Sequence, residues 1–337
     1  MNKHFEKIIE IKRGDDHRKF VEMIKAVDNE SLNFSDVFEQ YYNQDNYLSW
    51  FAVNILLGNY DTHFHNYYLL NPKDSEKFYF IPWDYDLSSD ALLDPGEVTL
   101  DDLPRWGVSH ANWWGQELHQ RFMREPGNLD LLNEALIEVK NKYLTASKIQ
   151  EKTDSYRDIV FPLVTSSPDF DRIYLSGDND PEVIASYNRI YADLSNRVEV
   201  NYNRFLEHIG DPMPFDLFEP EFIGNDDIRF AWADSESITG ATITYDLEIS
   251  KTPKFQNSNI VDRVTDISDT SHVLHWTRPA GTYYYRIIAR DAAQPQKYWQ
   301  IGYNDLPDEI YGVIKFTAPE GGFNKPTTSR ASYSTAN

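Results

Sequence analysis

The sequence predicts an α+β protein in two parts: a mainly helical region that contains one β-hairpin, followed by an all-β antiparallel sandwich. Three observations carry this. Apolar residues recur at helical spacing through most of positions 16–209, two aromatic-rich runs at 66–70 and 77–82 are split by turn residues, and short alternating strands follow Gly210-Asp211-Pro212-Met213-Pro214. A length of 337 residues suits about two domains at roughly 150 residues each.

Asp15 and Asp16 precede Phe20, Ile24 and Val27 at helical spacing, which predicts a short amphipathic helix over 16–27. Ser35 is positioned to cap a second helix carrying Val37, Phe38 and Tyr41. A third runs from Gln44 to Leu57, with Tyr47, Trp50, Phe51 and Leu57 inward, and Gly58 ends it. The period then changes. Asn66–Leu70 and Lys77–Pro82 flank the turn residues 71–76 as a hairpin, whose outer ends carry two polar clusters, Asp61–Asn66 and Asp84–Asp86. Antiparallel pairing brings the clusters together.

Residues 88–112 read as loop. Helical patterning returns over Trp113–Arg124, Leu129–Asn141 and Ser147–Val164, and then over 181–209, where Asp180 caps, Pro181 takes the first turn and Gly210 stops the helix. Trp106, Trp113 and Trp114 read as core rather than as substrate contacts. The boundary at 210–214 separates an expected domain of residues 1–211 from one of 214–318. Strands are expected at Ile228–Ala233, Thr242–Ile249, Val273–Trp276, Thr282–Ala289 and Tyr311–Phe316, about seven in all, as in a sandwich. Residues 319–337, rich in Gly, Pro, Ser, Thr and Asn, read as a disordered tail or linker.

Composition excludes several classes. Fifty-four acidic against 32 basic residues give a charge of −22, which repels phosphate backbones and anionic bilayers, so nucleic acid is not an expected partner. The longest apolar run, Trp50–Leu57, is interrupted by Asn54 and is far short of a membrane span, and Met1–Asp16 has no signal-peptide core. With no cysteine, disulfides and thiolate chemistry are absent.

Asp61 and Asn66 lie five positions apart at the mouth of the first strand, with Asp84 one hairpin further on. Kinase-type phosphoryl transfer uses this set: an Asp that orients the substrate hydroxyl and takes its proton, an Asn that holds a metal ion, and a later Asp that holds the metal at the nucleotide phosphates. Turn capping explains Asp and Asn at such positions equally well. His63 and His65 share a strand face beside Asp61 and allow a transition-metal site, but only the same carboxylates are spaced to join them. Asp61 and Asp84 also fit a glycosidase acid and nucleophile, without a marked sugar cleft.

The wording of the motifs favours the first of these. Gly58-Asn59-Tyr60-Asp61, His65-Asn66-Tyr67-Tyr68-Leu69 and Phe80-Ile81-Pro82-Trp83-Asp84-Tyr85-Asp86-Leu87 closely resemble the signature of the spore-coat-protein-H (CotH) kinase family, and the resemblance covers about residues 8–209. It implies a kinase-like C-terminal lobe, use of ATP with Mg²⁺ or Mn²⁺, and transfer of the γ-phosphoryl group to Ser or Thr hydroxyls of a protein at the cell or spore surface. It further implies Asp61 as the catalytic residue, Asn66, Asp84 and Asp86 as metal ligands, and Trp83 and His65 at the nucleotide.

Family members carry a β-rich N-terminal lobe, whereas here Met1 lies a few residues before Ile8–Lys12. The expectation is a fragment with little phosphotransfer of its own, in which Lys3, Lys7 and Lys12 are surface lysines.

Trp232, Tyr245–Ser250 and Gly281–Asp291 resemble a fibronectin type III module over 214–318, with Trp232 between the sheets and Tyr283, or its competitor Tyr285, as the corner tyrosine. Such a module supplies contacts to proteins or cell surfaces. The alternative function is a non-catalytic extracellular binding protein whose acidic loops hold a structural metal ion.

Overall fold

The computed structural model describes residues 16–59, 62, 66–85, 88, 116–172, 180–224, 226–304 and 312–319. The contact pattern divides them into two units that meet in sequence at Phe205 and Leu206. Asp61, His63, His65, Asp86, Trp106, Trp113, Trp114, the first fifteen residues and the tail beyond 319 lie outside the described residues.

The first unit opens with α1 (Arg18–Val27), α2 (Phe34–Tyr41) and α3 (Gln44–Leu57). Asn33, not Ser35, caps α2: its Oδ1 accepts the Asp36 amide at 3.1 Å, while Ser35 sits in the first turn and donates to Glu125. An N-cap must precede the first helical amide it satisfies, and Asn33 is extended there. Asn43 caps α3 in the same way through the Asn46 amide. Residues from every side of α3 are buried, including Tyr47, Leu48, Trp50, Phe51, Ala52, Ile55 and Leu56, so this is a central helix and not a one-faced one; Leu57 is only half-buried.

The expected hairpin is present as β1 (Tyr67–Leu70) and β2 (Tyr79–Pro82), antiparallel in the register Tyr67 to Pro82 and Leu70 to Tyr79. α4 (Glu117–Arg124), α5 (Asn128–Lys142), α6 (Ala146–Val164) and α7 (Asp180–His208) follow. Asp180, expected as a cap, is the first residue of α7. Arg121 is buried with no acidic partner among the described residues, and its guanidinium instead donates to the carbonyls of Ala26, Val27, Asn29 and Leu32, pinning the α1–α2 turn. No helix among the described residues is long and apolar enough to cross a membrane.

The second unit is an antiparallel sandwich. β3 (Glu221–Ile223), β4 (Asp227–Ala231) and β7 (Ser271–His275) form one sheet in the order 3-4-7. β10 (Ile314–Ala318), β8 (Gly281–Asp291), β5 (Ile243–Ser250) and β6 (Ile260–Ile267) form the other, and β9 (Trp299–Ile301) pairs the far end of β8. Ile228, Phe230, Leu247, Tyr285, Ile287 and Phe316 meet in one core, with the Phe230 and Tyr285 rings 4.9 Å apart between the sheets. Trp232 is buried in that core as expected, and the Tyr283 hydroxyl bonds the Pro279 carbonyl at 2.9 Å, so Tyr283 takes the corner position. Tyr285 instead donates to Phe218 across the sandwich.

Residues just after α7 pack onto this unit. Asp211 accepts from His208 and from the Trp299 amide, and a Cβ placed on Gly210 would lie 2.7 Å from the Tyr298 ring. We propose 1–211 and 214–318 as independently folding domains, the second gaining from residues 206–213. Gly210→Ala is expected to destabilise the sandwich by about 1–3 kcal/mol through overpacking against the Tyr298 ring. Urea unfolding followed by tryptophan fluorescence checks this. A 206–319 fragment should also melt above a 214–319 fragment, and equal melting points would remove the role given to Gly210 and Asp211.

Candidate functional site

The site is built at the C-terminal end of α3. Gly58 is left-handed, with φ 60°; its amide bonds Ile55 at 3.0 Å and the Asn59 amide bonds Asn54 at 2.9 Å. This is the paired closure of a Schellman cap, and it fixes the direction in which the chain leaves the helix. Thr62 is buried, and its hydroxyl donates to the Asn59 carbonyl at 3.1 Å. Asn59 and Thr62 are thus bonded to each other.

The hairpin supplies the opposite wall. Its inner face packs on α3 through Phe80 on Trp50, with ring centroids 4.3 Å apart, and Tyr67 on Trp50 at 5.4 Å. Because Tyr67 pairs with Pro82, Asn66 and Trp83 flank the open end of the hairpin, and Asp84 follows one residue later. Asn66 and Asp84 are both left-handed, at φ 64° and 56°. The chain thus turns sharply at each. Asp84 is exposed while Tyr85 turns inward. Trp83 is 57% exposed and meets Tyr68 at 5.7 Å on the outer face of the hairpin, which also carries Leu70 and Ile81.

Among the sequence-derived candidates, then, Asn66, Trp83 and Asp84 come together at one mouth; Asp61, His65 and Asp86 lie outside the described residues. The oxygens of Asn66 and Asp84 are hard donors of the kind Mg²⁺ or Mn²⁺ takes. Among the described residues no three His, Asp or Glu side chains gather into a metal cluster.

Sequence reasoning missed the polar layer beneath the mouth. Asn54 is buried on α3, where its Nδ2 donates to the Trp50 carbonyl at 2.9 Å and its Oδ1 faces the Asn59 Nδ2 at 3.5 Å. The Tyr85 hydroxyl is buried against it: burial pushes the phenol up to about 12, partly offset by the Asn54 side chain. The available signal was Asn54 itself, a polar residue inside the most apolar stretch of the chain.

The family model for CotH kinase protein matches residues 1–200, more than half of the chain. The chain belongs to the CotH kinase family. No curated protein matches it. Solved structures similar to part of this CotH chain include the fibronectin type III domain of human fibronectin type III domain containing protein 3, at 15% identity and a TM-score of 0.25, over 35% of this chain and 94% of that one. Domains d3–d4 of the rat CD45 extracellular region match at 11% identity and a TM-score of 0.24, over 32% and 50%.

Tyr42, Tyr47 and Tyr67 share the aromatic core under the hairpin, and burial raises each phenol above its ordinary range. When unfolded, they ionise near pH 10. Between that pH and the folded-state values the native CotH unit holds protons that the unfolded chain releases, so its stability is full below about pH 10 and falls as pH rises further. The urea midpoint of the helical unit should be lower at about pH 11 than at about pH 9. An unchanged midpoint would mean these phenols are not sequestered.

Proposed function

We propose that this chain acts as an ATP-dependent protein kinase of the CotH type. Membership of the family gives a kinase-like function, and the observation that supports the finer reading is the hairpin register, which sets Asn66 beside Trp83 and Asp84. In this reading Asp61 aligns a Ser or Thr hydroxyl and accepts its proton as the oxygen bonds the γ-phosphorus and the bond to the β–γ bridging oxygen breaks. Asn66, Asp84 and Asp86 would hold Mg²⁺ or Mn²⁺, which would supply charge neutralisation at the phosphoryl oxygens. Trp83, backed by Tyr68, offers an aromatic wall to the nucleotide, and His65 is assigned to the nucleotide with it. The partner is a protein substrate at the cell or spore surface, with the sandwich as a contact module.

Calorimetry with Mn-ATP tests the assignment. Loss of a direct carboxylate ligand removes more affinity than loss of a supporting group, which itself costs about 10- to 100-fold. Asp84→Asn is expected to abolish cation binding, Asp86→Asn to weaken it, and Asp61→Asn to leave binding intact while stopping transfer to protein. Equal metal affinity in the native chain and Asp84→Asn would overturn the reading.

A further inference from the structure

Among the described residues the two sheets of the sandwich end in β3, β7, β10 and β6. An edge strand presents unpaired amides and carbonyls, which natural sheets blunt by short length, charge or bulges. β3 is three residues long, β10 carries Lys315, and β6 carries Asp262, Arg263 and Asp266 and shifts register twice against β5. β7 has none of these devices. Its five residues, Ser271-His272-Val273-Leu274-His275, hold no Asp, Glu, Lys or Arg, run in unbroken register along β4, and leave Val273 51% exposed.

The bonding pattern fixes which groups this edge offers. The Trp276 amide donates to the Asp226 carbonyl and the Trp232 amide to the Thr270 carbonyl, so the even-numbered residues of β7 turn their backbone groups towards β4. Ser271, Val273 and His275 turn theirs to the open edge, where no described residue bonds them. Their side chains lie on the outer face of the sheet, because Leu274 and Trp276 pack into the core on the other.

We propose that β7 is a self-pairing edge, on which two copies of this chain join antiparallel about a twofold axis at Val273 and double the three-stranded sheet. In that register Val273 faces itself, Ser271 faces His275 and His272 faces Leu274, with about six main-chain bonds across the seam. No like charges stand opposite one another. Copies that each carry −22 repel elsewhere, whereas this stretch is neutral, and the charges at its ends are complementary. Asp269 precedes the strand and Arg278 follows it, so continuing the register sets Asp269 opposite Thr277 and beside Arg278 of the second copy. A contact of this kind uses the same patch on both copies and closes at the dimer. It gives the contact module a partner and does not depend on the cation site.

Sedimentation equilibrium of the full chain tests it. An interface burying less than about 1,200 Å² is transient, so a dimer with a dissociation constant on the order of 0.1 mM is expected. Val273→Lys and Val273→Glu each place two like charges on the axis, at an exposed position outside the core. Each variant should keep the native melting temperature and dimerise about tenfold more weakly. An equimolar mixture of the two should recover association to within about threefold of native, since only a twofold seam at 273 sets Lys against Glu. A native chain that stays monomeric at about 1 mM would overturn the proposal. So would a dimer that Val273→Lys leaves intact, or weakening that mixing does not reverse. Growth past the dimer would mean that β7 seats on a different edge of the next copy, and would overturn it too.

Discussion

The attachment of one two-stranded hairpin to α3 is the constraint on which the rest of the site depends. An isolated pair of four-residue strands is marginal in water. Here β2 gains a second partner: the Asn46 side chain accepts from the Phe80 amide at 2.6 Å and donates to the Phe80 carbonyl at 3.1 Å, standing in for a third strand. The link between α2 and α3 continues that edge, with Phe78 bonded to Tyr41 and Asn43. Stacking of Trp50 on Phe80, and Tyr47 against Phe80 and Phe122, locks the inner face, each aromatic pair contributing about 0.5–1.5 kcal/mol beyond its area. The mouth residues inherit their positions from this docking. They do not hold themselves in place.

Much of this was legible in the sequence, because local signals and tertiary structure agree. The Gly58 stop, the hairpin at 66–82 and the long α7 follow from turn chemistry and period, and the structure keeps them to within a few residues. What was not legible needed partners distant in sequence. Asn33 and Ser35 are equally good caps on paper, and only the backbone geometry selects Asn33. β6 was missed because Asp262, Arg263 and Asp266 break its apolar alternation, although the strand pairs β5 along its length. At the site, Asn54 was visible only as an interruption of an apolar run; its meaning comes from Asn59 and Tyr85, whose positions the third dimension sets.

The sandwich repeats the lesson with charges. Asp246 and Glu248 alternate with the core residues of β5, yet both are buried. Arg263 from β6 and Arg286 from β8 bind the two oxygens of Glu248, and Arg290 binds Asp246 at 2.6 Å. Removing one member would strand a buried charge, whereas replacing the set with apolar residues could be tolerated, so the ladder favours one register more than it adds stability. The register of β5 against β6 and β8 is thus specified by charge on one face and by shape on the other.

Backbone strain distinguishes the mouth from an ordinary hairpin end. Gly58, Asn66 and Asp84 all adopt left-handed conformations within the motif region, and only the first is a glycine. For a residue with a Cβ that conformation costs about 1–2 kcal/mol, reduced for Asn and Asp by local hydrogen bonding. Glycine at 66 and 84 would make both turns more cheaply, so turn formation alone does not explain the residues present. What Asn and Asp add over glycine is a side-chain oxygen aimed from a rigid turn. Both residues stand at the end of one docked hairpin, so the positions of the two turns are set by the same packing that holds Phe80 on Trp50.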